Sequence, residues 1–261
     1  MEAITLVKIP LVRHETRRFL ITLAAIVYAA PMVDQTKTLA VDKDLPLDAL
    51  PLTELESSFK HDHSEVKGLH VRQYTSDTYN GITDGKKCRP VTIIYARGST
   101  QAGNVGKPHQ VGGIMFNRLA WRIGASNLTV QGVPYGASYF GYLIGGCPSG
   151  SLRMQKLIEQ AAKKCPKTKI VLSGYSQGAQ LVYNAVRRLP DAPTKRIFAV
   201  VVFGDRKQGA KCGKVPKSRI LVVCRRNDFF CARRPSSIKT HRQYEREVYR
   251  AVDWIVHQLN I

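Results

Sequence analysis

From Val91 onward the chain alternates between short apolar runs and longer stretches in which apolar residues recur every three or four positions. The run Val91-Thr92-Ile93-Ile94-Tyr95-Ala96 is apolar or β-branched throughout, as expected of a strand covered on both faces. Leu128 to Val133, Ile170 to Leu172, Ile197 to Phe203 and Ile220 to Cys224 share that character and predict four more strands. Between them, Val111, Ile114, Met115, Leu119 and Ile123 fall on one helical face. So do Leu152, Leu157, Ile158 and Ala161, with Ser149 and Ser151 as candidate caps, and then Leu181, Val182, Ala185, Val186 and Leu189. The chain closes on Tyr244, Val248, Ala251, Val252, Ile255 and Val256 at the same spacing. Alternating strands and helices predict an α/β domain, a three-layer α/β/α sandwich around a central, mostly parallel five-stranded sheet. Such sheets bind ligands at the carboxyl ends of their strands.

The first 80 residues have a different texture. Arg17 and Arg18 precede an apolar stretch from Phe19 to Ala30 that ends in Val27-Tyr28-Ala29, with small residues where a signal peptidase reads them. The stretch is short for a membrane span, so residues 1–30 read as a secretory signal peptide and the chain as a secreted, extracellular protein. Residues 34–66 lack glycine and carry eight acidic residues against three lysines, whereas residues 67–261 carry 33 basic and 9 acidic ones. Residues 31–80 are therefore expected to be a pro-segment or flexible acidic extension, and 81–261 the folded domain, with ordered structure from Cys88. An acidic arm of this kind would mask a basic domain until removed. His61, His63 and His70 fall in this arm and read as solvated histidines rather than a metal site.

The formal net charge of +21 favours polyanionic partners without choosing among them. No nucleic-acid-binding motif accompanies the charge, so a specific nucleic-acid partner is not expected. Cysteines at 88, 147, 165, 212, 224 and 231 lack the paired CxxC spacing of zinc or iron-sulfur sites, and their even number suits disulfides in a secreted chain. Neither a metal nor a cofactor is expected, and the chain is expected to act as a monomer.

The chemistry concentrates at Gly174-Tyr175-Ser176-Gln177-Gly178, between the third strand and the helix that follows it. A Gly-x-Ser-x-Gly turn in this setting is so sharp that the serine takes a strained conformation, and the flanking glycines let strand and helix approach. The serine oxygen is presented outward as a nucleophile, and it needs a base. Two further strand ends carry useful residues, Ser99 after the first and Asp228 after the fifth. Histidines beyond Asp228 are His241 and His257. His257 is embedded in the last helix, so His241, in a polar stretch before it, is the better base in the order Ser, Asp, His.

These residues resemble the fungal cutinases and their serine-esterase relatives, from about Cys88 to the C-terminus. Ile94-Tyr95-Ala96-Arg97-Gly98-Ser99-Thr100 is similar to the family's oxyanion loop, Lys164-Cys165-Pro166 with Gly174 to Ala179 to its nucleophile motif, and Cys224-Arg225-Arg226-Asn227-Asp228-Phe229-Phe230-Cys231 to its disulfide-closed aspartate loop. The resemblance implies a cutinase-like α/β-hydrolase with Ser176 as nucleophile, His241 as general base and Asp228 as its orienting carboxylate. It places the oxyanion hole at Gln177 and Ser99, and implies disulfides Cys88–Cys165 and Cys224–Cys231. That leaves Cys147 and Cys212 as a third pair. The implied substrate is a polymeric or lipid-like ester, cutin or a related polyester. An acetylxylan or lipid esterase on the same scaffold, and a non-catalytic basic protein that binds wall polysaccharide or an anionic surface, are the alternatives. Asn227 stands where the family commonly has glycine; Phe229 and Phe230 stand where smaller residues are common, which predicts an acyl crevice that is narrower or differently shaped. Arg225, Arg226, Arg233, Arg234, Lys239 and Arg242 crowd the loops bearing Asp228 and His241 and predict attraction of an anionic substrate or surface. Asn127-Leu128-Thr129 is a glycosylation sequon beside a predicted strand.

Overall fold

A computed structural model describes residues 73–205, 210–232 and 237–261. The expected signal peptide, most of the acidic extension, and Arg233 and Arg234 lie outside the described residues.

Five strands form one all-parallel sheet: β1 (Val91–Ala96), β2 (Leu128–Gly132), β3 (Lys169–Tyr175), β4 (Ile197–Phe203) and β5 (Ile220–Val223), in spatial order β2-β1-β3-β4-β5. The near-continuous apolar runs are explained by burial on both faces. Along β1, Ile94 and Ala96 enter one core, whereas Val91, Ile93 and Tyr95 enter the other. Helices α3 (Pro148–Lys164) and α4 (Gln177–Val186) supply Met154, Ile158, Leu181 and Val182 to the first core. Helices α1 (Val111–Ile123) and α7 (Glu245–Leu259) supply Met115, Phe116, Leu119, Val248 and Ile255 to the second. Three layers result.

Strand order reverses direction between β1 and β3, because the chain first adds β2 on one side and then returns to the other. A crevice opens outside the carboxyl ends of strands at such a switch point. The loops leaving β1 and β3 carry Ser99 and Ser176, so topology alone sets these two side by side.

Three short helices stand where the hydrophobic pattern predicts loops: α2 (Tyr139–Leu143), α5 (Asp191–Lys195) and α6 (Ile238–His241). Helix α3 begins one residue before its predicted caps, with Cys147 at the N-cap and Pro148 at the first turn, where proline's missing N–H costs nothing. Packing also begins before residue 81, which shortens the expected extension. The Tyr74 and Tyr79 rings stand edge-on to each other at 5.3 Å and to Phe116 at 6.0 and 6.1 Å, and the Asp77 carbonyl accepts from the Asn104 and Val105 N–H groups. The sequon Asn127 is exposed, and its side-chain amide donates to the Ile123 carbonyl at the end of α1 (2.7 Å).

Cys88–Cys165 and Cys224–Cys231 are bonded. The expected Cys147–Cys212 pair is not formed; both are free thiols. A disulfide needs closely facing Cβ atoms, and these two cysteines serve different surroundings. Cys147 caps α3, with its sulfur 3.3 Å from the Ser149 hydroxyl. Burial works to raise its thiol, and hydrogen bonds from the Ser149 hydroxyl and the Gly150 N–H outweigh it, leaving the thiol below its ordinary value. Cys212 is 1% exposed inside the first core, and burial, with the Asp205 carboxylate nearby, pushes its thiol up to about 12.

Candidate active site

At the turn from β3 into α4, Ser176 adopts φ 55° and ψ −116°. A non-glycine residue in this region is held at a cost of roughly 1–3 kcal/mol, which the surroundings must impose. They do so through two close approaches. A Cβ on Gly174 would lie 2.4 Å from the Gly178 carbonyl oxygen, and one on Gly178 would lie 1.9 Å from the Ala96 carbonyl oxygen of β1. Only glycine allows strand, helix and neighbouring strand to meet there. Thr100 (φ 63°) and Ala137 (φ 45°), the other positive-φ non-glycine residues among the described ones apart from the helix cap Asn260, are joined by a hydrogen bond from the Thr100 N–H to the Ala137 carbonyl (2.8 Å). Thr100 and Ser176 both line one cavity of about 600 Å³, so backbone strain gathers where ligands would bind.

His241 lines the same cavity. Its Nδ1 lies 2.7 Å from Asp228 Oδ2, and its Nε2 is buried without a hydrogen-bond partner. Asp228 has no exposed surface. Its Oδ1 accepts from the Phe230 N–H (2.7 Å) and its Oδ2 also accepts from the Tyr244 hydroxyl (2.6 Å). Burial alone would raise the carboxyl; the hydrogen bonds from His241, Tyr244 and Phe230 overcome it and hold Asp228 below the ordinary carboxylate range. The Cys224–Cys231 bridge closes the loop that carries Asp228. The imidazole is clamped by rings, with Tyr175 stacked at 5.2 Å and Phe230 at 4.4 Å, while the Tyr175 hydroxyl donates to the His241 carbonyl (2.6 Å). At the end of β4, Gly204 (φ 59°) leaves room for this: a Cβ would stand 2.6 Å from His241 Cε1.

Ser99 borders the cavity, and its hydroxyl donates to Gln177 Oε1 (3.3 Å). Gln177 is fully buried at the first position of α4, where main-chain N–H groups have no intrahelical acceptor. All five sequence-predicted residues thus belong to one cleft, with Ser176, Ser99 and His241 on its wall, and Asp228 and Gln177 behind. Phe230 lines the cavity and meets Tyr142 of α2 edge-on at 5.3 Å; Phe229 is 55% exposed and outside the lining.

Sequence reasoning missed three features. Tyr244 reads as an apolar helix-face residue, yet it is the N-cap of α7 and its hydroxyl sits among Asp228, the Arg225 N–H (3.1 Å) and Cys231 Sγ (3.4 Å). Gly204 carries a signal in hindsight, standing at a strand's carboxyl end. The third is a ladder of amides on α4. Gln177, Gln180 and Asn184 donate to the carbonyls of Ser138 (3.0 Å), Tyr142 (3.2 Å) and Gly145 (2.9 Å), fastening α2 along its length to the helix that starts at Ser176. Their i, i+3, i+7 spacing on a buried helix was the available sign.

Comparison with known proteins agrees with this architecture. The family model described as Cutinase matches residues 87–259. A cutinase of Blumeria hordei is 42% identical over 59% of this chain and 64% of its own length, so the match spans just under two thirds of that relative. A cutinase of Pyricularia oryzae is 40% identical over 74% of this chain and 91% of its own. The solved Trichoderma reesei cutinase, in complex with a phosphonate inhibitor, superposes with a TM-score of 0.64 at 34% identity, covering 71% of this chain and 81% of that one. The catalytic core of the Trichoderma reesei acetyl xylan esterase shares the fold at 21% identity, with a TM-score of 0.51, over 66% of this chain and all of that one. The chain belongs to the cutinase family of carboxylic ester hydrolases.

Proposed function

We propose that this protein is a secreted serine esterase that cleaves carboxylic esters of a cutin-like polyester through an acyl-enzyme on Ser176. The observation that carries the reading is the buried His241–Asp228 pair, in which His241 Nε2 has no hydrogen-bond partner and His241 lines the same cavity as strained Ser176. His241 Nε2 takes the Ser176 proton as the oxygen attacks the ester carbonyl, and Asp228 keeps the other nitrogen protonated and stabilises the imidazolium. The oxyanion rests on the Gln177 N–H and on Ser99, each such donor lowering the barrier by about 3 kcal/mol. His241 then protonates the leaving alcohol. Water, activated in the same way, releases the acid.

Exposed apolar residues around the mouth favour an apolar polymer over an acetyl ester on a hydrophilic sugar chain: Tyr139, Phe140 and Leu143 are 65, 69 and 73% exposed. Retention of a hydrogen-bonded His–Asp pair beside a strained serine speaks against a purely binding role. Two disulfides suit an oxidising compartment. Among the described residues no helix is long and apolar enough to cross a membrane. Turnover of p-nitrophenyl butyrate and hexanoate by the wild type and by Ser176→Ala tests the reading. Wild-type turnover with none above background in the variant is expected; equal rates would exclude Ser176 as the nucleophile.

A further inference from the structure

Six of the ten exposed large apolar side chains among the described residues belong to segments that border one cavity. Tyr139, Phe140, Leu143 and Ile144 form one bank, and Phe229 and Ile238 belong to the other. Single exposed apolar residues are ordinary on a soluble protein, but a cluster rimmed by polar groups marks an interaction surface. The first bank is uncharged and is fixed from below by the amides of Gln177, Gln180 and Asn184, so its shape is set before anything binds.

The second bank is cationic. Arg226, Lys239 and Arg242 are exposed there, and Arg242 lines the cavity. Arg225 is already committed, its Nε lying 3.2 Å from Glu247. Across the bordering segments 97–111, 135–153, 224–232 and 237–245, the acidic residues are Asp228, buried and bonded to His241, and Glu245 on the cavity wall. Three solvated cations beside a catalytic cleft serve no step in the hydrolysis of a neutral ester.

They do match its product. Hydrolysis breaks the acyl carbon–oxygen bond, water adds hydroxyl to the acyl carbon and hydrogen to the alcohol, and the acid then loses a proton. Each cut in a polymer therefore leaves a carboxylate on the surface. We infer that the mouth of this cleft docks on polyester surfaces that already carry carboxylates, its apolar banks lying on the polymer and its cationic bank on the charged ends. The origin of those carboxylates rests on the esterase reading; the docking itself does not need turnover.

The test is therefore made on full-length Ser176→Ala protein. Its adsorption is measured on polycaprolactone films, untreated or lightly hydrolysed in alkali to expose carboxylates. At low ionic strength binding should be about tenfold tighter on the hydrolysed film. In 1 M salt, where charges are screened beyond about 3 Å, the preference should fall below about twofold. The triple variant Arg226→Gln, Lys239→Gln, Arg242→Gln in the same background should lose it at low salt. Leu143→Ser should weaken binding to both films alike. Equal binding to the two films at low salt, or a preference that survives the triple substitution, overturns the proposal. Binding to phosphatidylserine-containing vesicles as tight as to the hydrolysed film overturns it too, in favour of a lipid surface. Absence of wild-type turnover on p-nitrophenyl esters would sink the esterase reading while leaving these binding outcomes interpretable.

Discussion

Asp228 shows how much of the proposed chemistry depends on groups that never meet substrate. It accepts three hydrogen bonds, from His241, Tyr244 and the Phe230 N–H. A buried carboxylate so satisfied stays ionised and points one way. Replacing it with asparagine should lower kcat by about 10⁴-fold with little change in KM, because the imidazole loses its enforced tautomer. Tyr244→Phe removes the donor to Asp228 and the acceptor of the Arg225 N–H, and leaves the ring in place. With the folded Asp228 held below the ordinary carboxylate range, its stabilising share is full above that range and is lost as pH falls through the lowered value. The variant should therefore be less stable by about 2 kcal/mol near neutrality. The gap to the wild type should narrow as pH falls through the lowered Asp228 range, as pH-dependent denaturant melts would show. A gap that does not change with pH would mean that the hydroxyl contributes through the Arg225 N–H rather than through the Asp228 carboxylate. That Ser176 and His241 share one cavity was legible at this scale, because the proposed chemistry needs those residue types in that order. Tyr244 was not, since a tyrosine on an amphipathic helix gives no sign of where its hydroxyl ends.

At the scale of elements, two glycines separate folding from catalysis. Gly178→Ala would drive a Cβ to 1.9 Å from a β1 carbonyl, a backbone clash nothing can relieve, so the variant should fail to accumulate as folded protein. Gly204→Ala instead meets the edge of the His241 ring. It should fold and lose activity far beyond its loss of stability, by about 10²-fold or more in kcat. Parallel thermal melts and ester assays would read both. The two disulfides should divide similarly. Cys88–Cys165 spans 77 residues and Cys224–Cys231 only 7. Chain-entropy arguments give about 4.5 and 2.5 kcal/mol for their removal, yet the shorter loop holds Asp228 and should cost more activity. The five strands were legible because burial on both faces writes an unbroken apolar run. Helices α2 and α6, with five and four residues, are too short to show a period. The Cys147–Cys212 pairing failed for another reason: an even count of cysteines says nothing of where two sulfurs point.

For the whole molecule, strand order does the assembling. Because the sheet runs β2-β1-β3-β4-β5, the loops after β1 and β3 flank one crevice, and those after β4 and β5 bring Gly204 and Asp228 to the same edge. Charge adds the environment, with +21 over the full chain and a cationic bank at the cleft. Alternating strands and helices made this arrangement readable in outline. The amide ladder beneath α2 was not, because it joins side chains on one helix to carbonyls about forty residues earlier. The central claim is that Ser176 is activated by His241, and its most direct test is covalent. Wild type, Ser176→Ala and His241→Ala are each incubated with diethyl p-nitrophenyl phosphate, and intact mass and peptide spectra are recorded. The wild type should gain one diethylphosphoryl group on the Ser176 peptide, the serine variant none, and the histidine variant the same adduct about 10³-fold more slowly. A wild-type adduct on another residue, or equal rates with and without His241, would contradict the account.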